Sequence, residues 1–224
     1  MQIAHGVYAL PIEVEFHGVL ITIHPVLVEL DSGAALIDTG LAHTIDQLEE
    51  RITDTGHTMR EIRLLVLTHQ DGDHAGAGLQ VKERSGAVAC SSPFEAQYIT
   101  GKKTSRGPES NRYDSYPVDI ELPEGTVFRT AAGPMEVVDT PGHTGGHISL
   151  FLRDSGIVIA GDALAVHKGE LSGPHPRMSD DMETARRSIA RLADYPVRGA
   201  LCFHGGYIDA DPGRLRRIAG RGSY

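Results

Sequence analysis

Only two cysteines occur in the 224 residues, Cys90 and Cys202, and each stands alone in an apolar run. Isolated thiols form neither a disulfide framework nor a zinc knuckle, so both read as small core side chains. Basic residues are also scarce: 21 Lys and Arg face 30 Asp and Glu, for a net charge of −9. That balance counts against a nucleic-acid binder, which presents a basic face. No apolar run reaches membrane-spanning length, and no basic start followed by an apolar stretch marks a secretory leader. No membrane partner and a cytoplasmic location are therefore expected. Low-complexity tracts and clear linkers are lacking too, so residues 1–224 are read as a single domain. Finally, no serine or cysteine has a convincing nucleophile setting.

Histidine, by contrast, is abundant, with 12 residues whose placement tells more than their number. The run Leu64-Leu65-Val66-Leu67-Thr68 reads as a buried strand. It ends abruptly in His69-Gln70-Asp71-Gly72-Asp73-His74. Folding has no use for two imidazoles and two carboxylates crowded there, whereas a bound cation does. Strand ends in α/β proteins are where sites gather. The pattern of a strand followed by a His or Asp beside a glycine returns three times, at Asp139-Thr140-Pro141-Gly142-His143, at Ala160-Gly161-Asp162 and at Phe203-His204-Gly205. Glycine lets the backbone turn sharply and come close to an ion. If these strand ends converge, His69, Asp71, Asp73, His74, His143, Asp162 and His204 form a set large enough for two cations.

The element pattern allows such convergence. Short antiparallel strands are expected over the first thirty residues, and another at Ala34-Ala35-Leu36-Ile37. Thr44-Ile45-Asp46-Gln47 matches a capping box, opening a helix with Ile45, Leu48 and Ile52 on one stripe that stops near Gly56. A helix from Gly76 to Arg84, a strand at Ala87-Val88-Ala89-Cys90 and a helix opening at Ser92-Pro93-Phe94-Glu95 follow. Residues 101–120 read as a long surface excursion, in which Tyr113 and Tyr116 either meet substrate or pack the loop down. Strands resume at 135–139, 148–152 and 156–160. A helix is predicted from Asp180 to Ala193, capped by Asp180 with Glu183, then a strand at Leu201-Cys202-Phe203 and a basic helix from Asp211-Pro212. Strands followed by helices occur twice, which suggests two halves packed face to face.

The order of these motifs resembles the metallo-β-lactamase superfamily of metal-dependent hydrolases. Its signature is H-x-H-x-D-H, then a His in G-H-T, an Asp in G-D and a terminal His. Here the matching residues are His69 to His74, Gly142-His143-Thr144, Gly161-Asp162 and His204-Gly205, with Leu36-Ile37-Asp38-Thr39-Gly40 as an earlier matching segment. The resemblance spans nearly the whole chain. It implies an αββα sandwich with the metals at one edge between the sheets. It also implies that His69, Asp71 and His143 hold one ion and Asp73, His74 and His204 the other, with Asp162 bridging. The second signature His is Asp71 here. A carboxylate hardens that site and moves preference from zinc toward manganese, iron or magnesium. Asp71 is read as a direct ligand, with the alternative that it fixes a neighbouring imidazole.

By the same resemblance, the cofactors are two divalent ions, zinc foremost. A small-molecule lactone, ester or thioester is the expected substrate, and Asp73 orients the attacking water. A homodimer is an open option. An iron oxygenase using His69, His143 and Asp162 is the alternative, while a nuclease or a metal-stabilised binding module is less in keeping with the chain. His147 and Asp38 are read as supporting the site rather than binding an ion. His167 and His175 are read as near substrate or simply exposed, and His5, His17, His24, His43 and His57 as surface or packing residues.

Overall fold

Side chains along a strand point alternately to opposite faces, and that alternation sorts this chain's apolar residues into three layers. The computed structural model describes residues 1–16, 18–106 and 112–220. His17 and residues 107–111 of the surface excursion lie outside them. In chain order the strands are β1 (Gln2–Ala4), β2 (Val7–Ala9), β3 (Ile12–Phe16), β4 (Val19–Ile23), β5 (Val26–Glu29), β6 (Ala34–Ile37), β7 (Ile62–Leu67), β8 (Val88–Ser91), β9 (Ile120–Glu121), β10 (Val127–Thr130), β11 (Gly133–Asp139), β12 (Ile148–Leu152), β13 (Ile157–Gly161), β14 (Ala165–His167), β15 (Glu170–Ser172), β16 (Gly199–Cys202) and β17 (Gly206–Asp209). The helices are α1 (Ile45–Thr53), α2 (Gly72–Ala75), α3 (Gly78–Ser85), α4 (Pro93–Ile99), α5 (Met182–Leu192) and α6 (Pro212–Gly220).

Among the described residues, one sheet runs β1-β2-β5-β6-β7-β8-β9 and the other β10-β11-β12-β13-β16-β17. The first is antiparallel as far as β6 and parallel from β6 to β9. In the second, β13 and β16 pair in parallel and the other neighbours are antiparallel. Val26, Val28, Ala35, Ile37 and Val66 of the first sheet meet Val137, Leu150, Leu152, Ile159 and Leu201 of the second. The intervening residues face outward. Leu27, Leu36, Leu65 and Leu67 pack under Leu48 and Ile52 of α1 and Val81 of α3. Val138, Phe151, Val158 and Ala200 pack under Ile189 and Leu192 of α5 and Leu215 and Ile218 of α6. The product is the αββα sandwich. Each fully buried Leu, Ile or Phe in these layers contributes about 1.5–3 kcal/mol. Both cysteines are free and buried, and burial pushes the Cys90 thiol up to about 11.

Three local expectations need correction. Thr44 does not cap α1; its hydroxyl donates to the Leu41 carbonyl, and Gln47 reaches across to the backbone of Glu13 in β3. The helix expected from Gly76 to Arg84 is α3, which starts only at Gly78 and is separated from the short α2 before it. The His74 carbonyl that would continue α2 is taken by the N–H and hydroxyl of Thr39, at 2.7 and 2.8 Å. The cap of α5 is Asp181, whose Oδ1 accepts from the N–H groups of Glu183 and Thr184 at 2.9 and 3.0 Å. Asp180 is drawn instead to an arginine described below. Of the two readings of Tyr113 and Tyr116, packing is the one that holds. Their hydroxyls donate to the carbonyls of Gln70 and Ala75, at 2.7 and 2.8 Å. Tyr116 lies so close over Gly78 that a Cβ there would sit 2.0 Å from the phenol oxygen.

Candidate metal centre

At one edge of the sandwich, the loops that leave β6, β7, β11, β13 and β16 converge. They bring together all seven residues singled out from the sequence. Two groups of donors form there. His69, His143 and Asp162 make one; Asp73, His74 and His204 make the other; within each, the donor atoms lie within 4.8 Å of one another. Asp162 touches both: its Oδ1 is 3.3 Å from His74 Nε2, and its Oδ2 is 3.4 Å from His143 Nε2 and 3.5 Å from His204 Nε2. Asp73 Oδ2 lies 3.3 Å from His204 Nε2 and 3.8 Å from His74 Nε2. Asp71 is beside the first group, with Oδ2 3.5 Å from His69 Nε2 and 3.2 Å from His143 Nε2. Both of its carboxylate oxygens are, however, engaged by Arg106.

The imidazoles are aimed by their neighbours. Asp38 follows β6 with φ at +58°, an uncommon conformation for a residue with a side chain. Its Oδ1 accepts the Thr68 N–H at 2.9 Å, and its Oδ2 accepts the Thr68 hydroxyl and His74 Nδ1, both at 2.8 Å. With its proton committed to Asp38, the Thr68 hydroxyl is left to accept from His69 Nδ1 at 3.0 Å. One carboxylate thus fixes two rings, each with its Nε2 lone pair facing the site. His147 is fully buried and supports rather than binds, as its sequence context suggested. Its Nε2 accepts the Asp162 N–H at 2.9 Å, so Nδ1 carries the proton and donates to Thr140 at 2.8 Å. Burial, with His69 and His143 nearby, holds His147 well below the usual imidazole range.

The donor chemistry fits divalent cations. Among the described residues, His69 Nε2, His74 Nε2 and Asp162 Oδ1 are buried with no hydrogen-bond partner, and buried polar atoms in that condition are rare in folded proteins. The charges are poised as well. Burial works against its charged form, yet Asp162, Asp38 and Asp73 hold His74 well above the usual imidazole range. His204 is raised against burial by Asp162 and Asp73. Asp162 is held well below the carboxylate range, against burial, by His204, His74 and His143. Burial lowers His143, although Asp162 and Asp71 pull it up.

Two supporting residues escaped the sequence reading. In the sequence Glu95 reads only as a helix-capping residue. It is fully buried, and its Oε2 accepts the Gln70 N–H at 3.0 Å while Oε1 accepts the Gly146 N–H at 2.9 Å. It therefore ties the loop of His69 to the loop of His143. Arg106 lies in a breaker-rich segment with no periodicity to mark it. His24 also has a partner, the Phe203 carbonyl at 3.2 Å, and burial lowers its pKa. His175 is an exposed cap, its Nδ1 accepting the Arg177 N–H, and His167 is exposed on β14.

Known proteins resemble this chain in sequence and in fold. A sequence model described as the metallo-beta-lactamase superfamily matches residues 21–204. The probable metallo-hydrolase YflN of Bacillus subtilis is 29% identical over 197 residues, covering 76% of this chain and 74% of that protein. A hydroxyacylglutathione hydrolase of Chelativorans sp. is 33% identical over 174 residues, which is 75% of this chain but 58% of that enzyme. Among solved structures, a metallo-beta-lactamase from Pontibacter korlensis superposes with a TM-score of 0.78 at 21% identity, covering 99% of this chain and 98% of that one. A metallo-beta-lactamase family protein of Thermus thermophilus gives 0.77 at 23% identity, covering 97% and 78%. At such identities the structures speak for the fold alone.

Proposed function

This chain belongs to the metallo-beta-lactamase superfamily of metal-dependent hydrolases, and from that premise we propose that it hydrolyses a small-molecule thioester, ester or lactone. The observation that carries the reading is the set of buried imidazole nitrogens without partners, arranged on either side of Asp162. His69, His143 and Asp162 would hold one divalent ion, with Asp71 beside it, and Asp73, His74 and His204 the other, with Asp162 shared. Bound there, such ions supply Lewis acidity and lower the pKa of water from 15.7 to about 7.

The chain's own residues do the rest. Asp38 and Thr68 fix the tautomers of His69 and His74, so no reorientation is needed when the site is used. The His69, His74 and His143 side chains are 0%, 0% and 3% exposed, against 26% for Asp73 and 32% for His204. Substrate therefore approaches on the Asp73 and His204 side. The Asp73 carboxylate, open to that side, orients the attacking water by accepting a hydrogen bond from it. Burial and Asp162 tend to keep Asp73 protonated, but His74 and His204 hold it below the usual carboxylate range, ready as an acceptor.

A thioester is favoured among the substrates because several relatives between 27% and 33% identical bear the name hydroxyacylglutathione hydrolase. A second reading is a one-iron oxygenase, favoured by the two-His, one-carboxylate set of His69, His143 and Asp162. The Asp73, His74 and His204 cluster weighs against it. The test is a panel of an S-acylglutathione, an acyl-homoserine lactone and a simple ester. Protein reloaded with zinc or manganese is expected to turn over at least the thioester, and chelation to abolish that turnover. Oxygen uptake with a persulfide, and no hydrolysis on the panel, would instead establish the oxygenase.

A further inference from the structure

Arg106 follows α4 in the surface excursion, and its guanidinium is packed against the first donor cluster. Its Nε and Nη2 form a two-pronged pair with Asp71 at 2.8 and 2.7 Å. Nη2 also donates to His143 Nε2 at 2.7 Å. Nη1 donates to the His143 carbonyl at 2.7 Å and to Asp180 Oδ1 at 2.8 Å. A guanidinium has five N–H donors, and these contacts employ all five. Nothing is left over to receive a substrate anion, so recognition of a carboxylate or phosphate is not what this arrangement is built for.

The acceptors it has taken are telling. His143 Nε2 is a donor atom of the first cluster, and one lone pair cannot serve an N–H and a metal at once. Asp71 Oδ2, within 3.5 Å of His69 Nε2 and 3.2 Å of His143 Nε2, is spent on the same guanidinium. The side chain is 24% exposed, so the pair is largely withdrawn from water, and breaking such a pair costs more than breaking a surface one. The second cluster is held otherwise. Its ion pairs join Asp73, His74 and His204 to one another, to Asp162 and, for His74, to Asp38.

We infer that Arg106 is a tethered cation that competes with the first metal ion: it occupies His143 Nε2 and keeps Asp71 as its own counter-ion, so the first cluster binds a divalent ion more weakly than the second. The inference rests on the reading of both clusters as metal sites. It gives the carboxylate at position 71 a reason. Asp71 anchors a guanidinium, which an imidazole in its place would not do, and it becomes a metal ligand only when Arg106 is moved aside.

The test is calorimetric titration of the metal-free protein with zinc alone, in a buffer containing a competing chelator. The wild type is expected to show a tight event and a second one at least about tenfold weaker, a gap of about 1.4 kcal/mol. Arg106→Gln should strengthen the weak event by about tenfold and leave the tight one in place. Adding Asp71→Asn to that variant should remove the gain. Arg106→Lys keeps the charge but not the fork, and should give a smaller gain in the same direction; it serves where the glutamine variant does not fold. Equal affinities in the wild type, or an unchanged or weakened second event in both Arg106 variants, overturn the inference while leaving the metal centre intact. Absence of any zinc binding by the wild type overturns the metal centre itself.

Discussion

The second cluster, Asp73, His74 and His204, is surrounded by carboxylates, whereas the first, His69, His143 and Asp162, has a guanidinium pressed against it. The two are built from the same residue types, share one aspartate and lie a few ångströms apart. The difference teaches that a donor set alone does not define a metal site. What else has a claim on each lone pair matters as much. Around the second cluster the carboxylates of Asp38 and Asp162 raise the attraction for a cation; around the first, part of that attraction is already satisfied by Arg106.

The comparison can be broken most sharply at Asp38. It bonds His74 directly but reaches His69 only through Thr68. Asp38→Asn retains the shape and sets an amide N–H against one of these donors. Zinc affinity should fall by about 10–100-fold at the second cluster, the range usual for such supporting groups, and by less at the first. Calorimetric titration of the variant checks this. Equal losses at both clusters would mean that Asp38 acts on the whole loop rather than on His74.

A smaller effect is expected at Glu95, which bonds the loops flanking His69 and His143 and none of the second cluster. Glu95→Gln leaves one acceptor and turns an N–H toward a backbone N–H. The cost is about 1–3 kcal/mol of stability, the range for a buried donor left unsatisfied, read as a lower midpoint in thermal unfolding. In a zinc titration the first cluster should weaken and the second hold. A variant that weakens the second alone would contradict the division drawn here.

Most of the donor set is legible in the sequence alone, because strands that end in glycine beside His or Asp announce both a sharp turn and a ligand. The twice-repeated order of strands and then helices suggests two facing halves, and the αββα sandwich itself follows from the family resemblance. What was illegible depended on partners distant in sequence. Arg106 meets Asp71 and Asp180 across 35 and 74 residues, from a segment with no periodic pattern. Glu95 fits a helix-start motif so well that its second role was hidden. At the start of α5, Asp180 and Asp181 both satisfy the capping rule, and tertiary competition for Asp180 decides between them. Thr44 lost its capping role for the same kind of reason, since Gln47, the other half of that motif, found a partner on β3.

The central claim is that these converging side chains grip divalent ions on which hydrolysis depends. Its most direct test is metal content per chain after reloading with zinc and gel filtration, for wild type and Asp162→Ala, with thioester hydrolysis followed on the same samples. About two ions per wild-type chain are expected, fewer in the variant, and activity that disappears with them. A metal-free chain that still hydrolyses its substrate, or an Asp162→Ala protein that keeps both its ions and its rate, would contradict the claim.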